Sequence, residues 1–388
     1  MSQLLLLYSL SALLNAVQFV QMSTFGYVCK DIHISDLHQG YVKTYFIGLQ
    51  LIGTPLIGVL VSRLGLKLGL IIAFLSTAAS CFFLAISQGL FLIVVSQSFG
   101  LLMVGHQAFQ TAIAHLTKPG AERTSAFSKL GLSFGIGFVL TPIITKLSTL
   151  FFGQTGPLLV SAGICVLSLP LLFIVKDAKQ EDDDAEGKNK KLKGSGIEII
   201  MKDPTLRNLF LTKLLVTCPA YIIFGVLQLH MINKFALTQT QDSLMQLELG
   251  LSIMIANSVG QMFASRIFKE AQLIRQSAIV AVGCYVVFAY LEYFWIIWPL
   301  LFVLIQAMTF VNNASDSMIT TRVKAEQQGL ILGLANSAIA FVRAASPTLA
   351  VLIIEEFGFG YLGLIGVICS AIGVALSSDG FSDYQKIE

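Results

Sequence analysis

Long apolar runs, each near the length of one bilayer crossing, alternate with short polar turns along almost the whole chain. Runs over 3–26, 40–62, 68–86, 89–115, 130–151, 157–175, 207–229, 243–265, 274–291, 295–319, 329–352 and 358–377 predict twelve helices. The first run is long enough to span and lacks a small-residue cleavage pattern, so it is read as a span and not as a signal peptide. The one long polar gap, 176–206, carries an acidic block from Lys176 to Asp184 and then Lys188, Lys190, Lys191 and Lys193. It reads as a solvated linker, with Ile197 to Leu209 as a short interfacial helix leading into the seventh run.

Composition agrees with this pattern. Of 388 residues 55% are hydrophobic and 12% charged, with mean hydropathy +0.78, whereas a soluble domain needs about a quarter of its residues charged. The expected fold is therefore all-α and polytopic, and the lipid bilayer is its first partner. Six cysteines, at 29, 81, 165, 218, 284 and 369, show no CxxC or metal spacing, and only Cys29 falls in an expected loop. No Walker loop, nucleophile triad or metal cluster is visible, so no enzyme activity, metal or cofactor is expected, and nothing points to nucleic acid.

Charge placement sets the orientation. With a cytoplasmic amino terminus, nineteen of the 25 cations fall on the cytoplasmic side and four (Lys30, Lys43, Lys146 and Lys234) on the other. The positive-inside rule puts both termini and the central linker in the cytoplasm, of the plasma membrane or of an internal one. Lys213 and Arg343 are the two cations left inside runs.

The two sides of the linker echo each other. Gly58 to Lys67 is repeated as Gly260 to Lys269, Thr141-Pro142 as Ser346-Pro347, and Glu122 as Glu326, at a nearly constant offset. A duplicated six-helix unit follows: a bundle over 1–175, a linker with its interfacial helix over 176–206, and a second, pseudo-symmetric bundle over 207–388.

The turn Gly58-Val-Leu-Val-Ser62-Arg63-Leu-Gly65-Leu-Lys67 resembles the loop between helices two and three of the major facilitator superfamily, and Gly131 to Pro142 resembles its helix-five antiporter motif. Lys129 to Gly137, Asn312 to Met318, Gly329 to Leu334 and Arg343 to Pro347 are similar to the organic cation transporter-like branch of solute carrier family 22. The resemblance implies a monomeric secondary transporter working by alternating access, a proton-coupled antiporter of organic cations or drugs. Departures matter here. Ser62 stands where the family loop has an acid, and Thr141 where the helix-five motif has a glycine.

Ionic and polar groups at helix depth are the candidate substrate and ion-coupling residues, since a lone charge there costs about 2.5–3.5 kcal/mol even on a lenient scale. Lys213 and Asp316 lie at matching depths near the cytoplasmic ends of spans seven and ten and form an expected ion pair; independent snorkelling is the alternative. Arg343 lies in mid-span eleven, with Glu248, the one other acid placed within a span, as its candidate counter-ion. Such a cation would repel a cationic substrate unless neutralised and would suit an anion, so the substrate charge stays open. Asn15 and Gln18 of span one, His106 and Gln110 of span four, and Asn312 and Asn313 of span ten complete the polar set, either lining a cavity or bonding neighbouring helices. Span one holds no acid, so proton coupling must use Asp316, Glu248 or His106.

Gly58, Ser62, Arg63, Gly65 and Lys67, with His115 at the end of span four, form the expected cytoplasmic gate, a loosened latch. Gly137 allows close helix approach, and Pro142 and Pro347 permit bending. A transport-inactive scaffold or sensor is the second reading. The charges retained in apolar spans argue for transport.

Overall fold

The structure, a computed structural model, describes residues 3–103, 105–117, 121–175, 196–323 and 325–380. All regular structure among them is helical. Helix α1 (Gln3–Asp31) is followed by α2 (Asp36–Leu64), and Gly65 alone, at φ +90°, turns the chain into α3 (Leu66–Ala85). That left-handed conformation is open to glycine and strained for other residues. The fourth segment is broken: α4 (Leu90–Ser98) tightens into a 3-10 turn at Phe99–Leu102 before α5 (Gly105–Leu116). Helices α6 (Ala121–Phe152) and α7 (Gly156–Ile174) complete the first half.

After the linker come α8 (Gly196–Lys202) and α9 (Pro204–Phe235). The expected single helix over 197–209 is thus two. Asp203 ends the first and caps the second, its Oδ1 accepting from the backbone N–H of Thr205 at 2.9 Å and Leu206 at 3.3 Å. Pro204, lacking an N–H, sits where a helix start does not need one. The eighth segment is also interrupted: α10 (Gln239–Ile255) passes through a π turn, Ala256–Gly260, into α11 (Gln261–Ile267). Then α12 (Glu270–Ala289), α13 (Ile297–Arg322), α14 (Ala325–Phe357) and α15 (Gly360–Gly380) follow.

Nine helices among the described residues are long and apolar enough to cross a membrane. Helix α2, the α4–α5 pair and the α10–α11 pair occupy the other three expected segments. Large apolar side chains such as Phe91, Phe151, Leu167 and Trp295 are more than three-quarters exposed, a surface that only lipid can cover.

The duplication is visible in the helix starts. Leu66 and Glu270, Ala121 and Ala325, and Gly156 and Gly360 are each 204 residues apart.

The chain divides into two compact units, Met1–Asp183 with Met231–Leu251, and Asp184–His230 with Ser252–Glu388. In the first unit α1 lies along α6 and α3 along α7, around a core of Leu7, Leu10, Leu14, Phe74, Phe109 and Ile113. The broken fourth segment rests on α2. A Cβ at Gly53 would collide with the Leu101 carbonyl, and one at Gly100 would meet the Phe46 ring at 2.6 Å. Cys29, expected in a loop, lies in α1 and is buried among Phe25, Val28 and Val42, because the helix runs on to Asp31. In the second unit α12 lies along α15 and α13, with Gly363 and Gly366 against Ala289 and the Tyr285 ring. Ile200 of α8 joins Leu206, Met318 and Ile331 in one cluster, anchoring the end of the linker.

Candidate functional site

Two charged side chains are buried among the described residues, Lys213 and Asp242, and they lie in different units. In the second unit Lys213 of α9 donates to Asp316 Oδ1 of α13 at 2.6 Å. The lysine is 2% exposed and the aspartate 36%. A charge pair in low dielectric is favourable only when closely made, since each ion has lost its water. The matching depths of the two residues therefore meet in a direct contact. Thr217, one turn along α9, bonds the Lys213 carbonyl at 2.7 Å. On α13 the neighbouring Ser317 donates to Glu270 Oε1 at 2.6 Å. Asp316 thus keeps one open side, while Lys213 is enclosed.

The other expected site residues divide between packing and open positions. Asn15 is buried and donates to Ser11 Oγ at 3.3 Å, and Ser133 of α6 donates to the same oxygen at 2.9 Å. Gln18 reaches the Met103 carbonyl at 2.7 Å, at the break between α4 and α5. Asn313 of α13 donates to Asn257 in the π turn at 3.1 Å. Asn312 is half-buried, and its Oδ1 has no hydrogen-bond partner among the described residues. Gln110 is half-buried on α5. Glu248 belongs to the first unit and Arg343 to the second. Glu248 is half-buried, with Oε2 unpartnered among the described residues. Arg343 is exposed and within electrostatic reach of Tyr221.

Of the expected gate, Gly65 makes the turn, and Lys67 donates to the Phe173 carbonyl at 3.0 Å with its ammonium 4.9 Å from the Phe173 ring. A cation there caps the end of α7, where the helix dipole is negative. The side chains of Gly58, Ser62, Arg63, His106 and His115 lie outside the described residues. Gly137 holds α6 against α1: a Cβ would stand 2.8 Å from that of Asn15. Pro142 and Pro347 are interior to α6 and α14, and Ser346 Oγ donates to the Arg343 carbonyl, which Pro347 leaves without its usual donor, at 2.9 Å.

Sequence reasoning missed Asp242. It placed the start of the eighth span at residue 243, and so took Glu248 for the one further acid within a span. The helix begins earlier, at Gln239, because Thr238 and Gln241 make a capping box: the Thr238 N–H donates to Gln241 Oε1 at 3.0 Å, and the Gln241 N–H to Thr238 Oγ1 at 3.4 Å. The Thr-x-x-Gln spacing was the available signal.

A duplicated bundle of bilayer-length helices with an ion pair inside one half defines the class: a helical membrane transporter. The chain matches the Major Facilitator Superfamily over residues 4–347, and it belongs to that superfamily. It is 26% identical over 389 residues to human solute carrier family 67 member A1, covering 96% of this chain and 90% of that one. Against mouse solute carrier family 22 member 18 it is 26% identical over 380 residues, with 93% and 92% covered. Among solved structures, the nucleoside transporter NupG superposes with TM-score 0.73 at 16% identity, over 99% of this chain and 100% of that one. The chain is thus an integral multi-pass membrane protein and a secondary transporter of solutes. Fold and family point to transport and not to catalysis.

Proposed function

We propose that the chain exchanges small organic cations for protons by alternating access, as a monomer with both termini in the cytoplasm. Two six-helix bundles, 1–175 and 207–388, joined by the 176–206 linker, are the moving parts of this reading. The observation that carries it is the unequal Lys213–Asp316 pair. A cation arriving on the open side of Asp316 competes with the Lys213 ammonium for the carboxylate. Proton coupling in this reading runs through Asp316, Glu248 or His106, and Lys213 holds the carboxylate in place between substrates. One positive charge replaces another, and the exchange is electroneutral. The resemblance of 129–137 and 312–318 to organic cation transporter-like carriers supports the same substrate class. Exposed Arg343, with Glu248, Asn312 and Gln110, then bears on selectivity, and the Gly58–Lys67 turn with His115 on cytoplasmic closure.

The test is flux of a mixed organic-cation and organic-anion panel in proteoliposomes, with and without a pH gradient. Cation efflux driven by an opposing proton gradient is expected, unaffected by membrane potential. Asp316→Asn should remove the carboxylate for which the cation competes and abolish gradient-driven exchange, while Lys213→Arg should keep the ion pair. Movement of anions alone would overturn the substrate class. No movement of any solute would favour a scaffold or sensor.

A further inference from the structure

The second buried charge, Asp242, carries an inference of its own. It lies in the first turn of α10, within the first unit, and its Oδ2 accepts from Ser23 Oγ of α1 at 2.8 Å and from Gln246 Nε2 at 3.2 Å. Lys43 of α2 and Tyr27 of α1 are within electrostatic reach of the carboxylate, and Cys29 of α1 is likewise within reach of Lys43. The neighbouring contacts run in parallel. Gln239 donates to Thr24 Oγ1 at 2.8 Å, Thr149 of α6 donates to Gln239 Oε1 at 3.4 Å, and Asn233 donates to Asp36 Oδ2 at 2.7 Å. Residues 231–251, which follow the linker in sequence, are thereby fastened to the helices that precede it.

We propose that Asp242 is a proton-binding site that locks this segment onto α1 and α2 when ionised and releases it when protonated. As a carboxylate it draws Ser23, Gln246 and Lys43 to one point. As a neutral acid it loses its attraction for Lys43 and weakens as an acceptor from Ser23, while the hydroxyl of Tyr27, buried and without a hydrogen-bond partner among the described residues, stands beside it. Burial selects the ligand: at 1% exposure the carboxylate is closed to an organic cation and open to a proton. The outward position of this lock rests on the orientation given under the proposed function, so acid on the outer side would open that face. Asp242 would then time the opening, and the Lys213–Asp316 pair would serve the exchange.

Cys29 supplies a native reporter, 1% exposed and beside Lys43. In full-length protein in proteoliposomes, its modification by a membrane-impermeant maleimide would be followed by mass spectrometry, with each rate divided by that of the unfolded protein at the same pH. For the wild type the normalised rate should rise as the outer solution goes from neutral to mildly acid. Asp242→Asn should be fast at every pH, by a factor of about ten or more, since it loses the hydrogen bonds that a charged carboxylate accepts. Lys43→Met should loosen the lock yet keep the pH response, and Asp242→Glu should retain both slow modification and its acid dependence. An Asp242→Asn protein that keeps the wild-type pH response, or a wild type without one, would overturn the proposal. Gradient-driven flux does not enter this measurement, so the lock and the exchange reading can fail separately.

Discussion

The two halves of the repeat share a frame and differ in what they bury. Positions 204 residues before Lys213 and Asp316 are Ser9 and Ala112. Ser9 is exposed and bonds the Leu5 carbonyl of its own helix, and Ala112 is fully buried. Where the second half makes an ion pair, the matching positions of the first half hold no ionisable side chain. Its buried polar groups include neutral, mutually bonded ones: Gln21 Nε2 donates to Ser80 Oγ at 2.8 Å, and Ser80 and Ser96 exchange donors to each other's carbonyls, both at 2.8 Å. The symmetry is therefore one of helix placement, not of chemistry. In the proposed reading, duplication supplies two moving bundles, and the ion pair that meets the substrate belongs to one of them.

The largest effect expected from breaking this asymmetry is at the pair itself. Lys213→Ala leaves Asp316 half-solvated, while Asp316→Ala strands an enclosed ammonium, so the second should be worse. Removing one partner of a buried pair costs about 3–5 kcal/mol, and the open side of Asp316 puts both variants toward the lower end. Loss of transport and a lower unfolding temperature in detergent are expected of each. The double variant should recover part of the stability, since no charge is left without a partner. Strictly additive losses would mean that the two residues act independently.

A second comparison lies in how each half brings its first and fifth helices together. In the first half the small residue is on α6: the Cβ of an alanine at Gly137 would stand 2.8 Å from Asn15 Cβ and 3.0 Å from the Ala16 nitrogen. In the second half it is on α9, where a Cβ at Gly225 would meet Ser346 Oγ at 2.9 Å and the Pro347 nitrogen at 3.3 Å. Gly→Ala in a helix gains about 1 kcal/mol of intrinsic propensity, against an overpacking cost of about 1–3 kcal/mol. At Gly137 the obstacle includes backbone and a Cβ that cannot turn away, so Gly137→Ala should lower the unfolding temperature. At Gly225 the nearest atom is a hydroxyl, and Gly225→Ala should come out close to neutral. Equal shifts would show that the two seams are packed alike.

Much of this frame was legible in the sequence. Apolar runs of bilayer length and a constant offset between motifs are strong signals, because lipid leaves the backbone few other options. The Lys213–Asp316 contact was legible too, from matching depth. Other features depend on partners that sequence does not order. Gln18 could be read either as lining a cavity or as bonding a neighbouring helix, because its acceptor, the Met103 carbonyl, is at a helix break with no proline to announce it. That break follows from Gly53 and Phe46 receiving Leu101 and Gly100, contacts between segments far apart in the chain. Asp242 was lost to a boundary placed four residues late, the ordinary uncertainty of helix ends.

The smallest effect expected separates the two prolines. Pro142 and Pro347 occupy corresponding places, and each is preceded by a hydroxyl residue, yet the hydroxyls have different tasks. Thr141 Oγ1 donates to the Gly137 carbonyl at 2.9 Å. That carbonyl is also the normal α-helical acceptor for the Thr141 N–H, so it keeps a donor when the hydroxyl is removed. Ser346 Oγ donates to the Arg343 carbonyl, whose normal donor would have been the N–H that Pro347 lacks. Ser346→Ala therefore leaves a carbonyl short of its partner within a helix long and apolar enough to span the membrane, a loss of about 1–2 kcal/mol. Thr141→Val keeps the methyl group and the shape and should be close to neutral. The unfolding temperature in detergent is the measurement, with Ser346→Thr expected to restore the bond. If Thr141→Val proves the more damaging, the first-half hydroxyl is needed for more than its own helix, and the closeness of α6 to α1 at Asn15 is where its second role would lie.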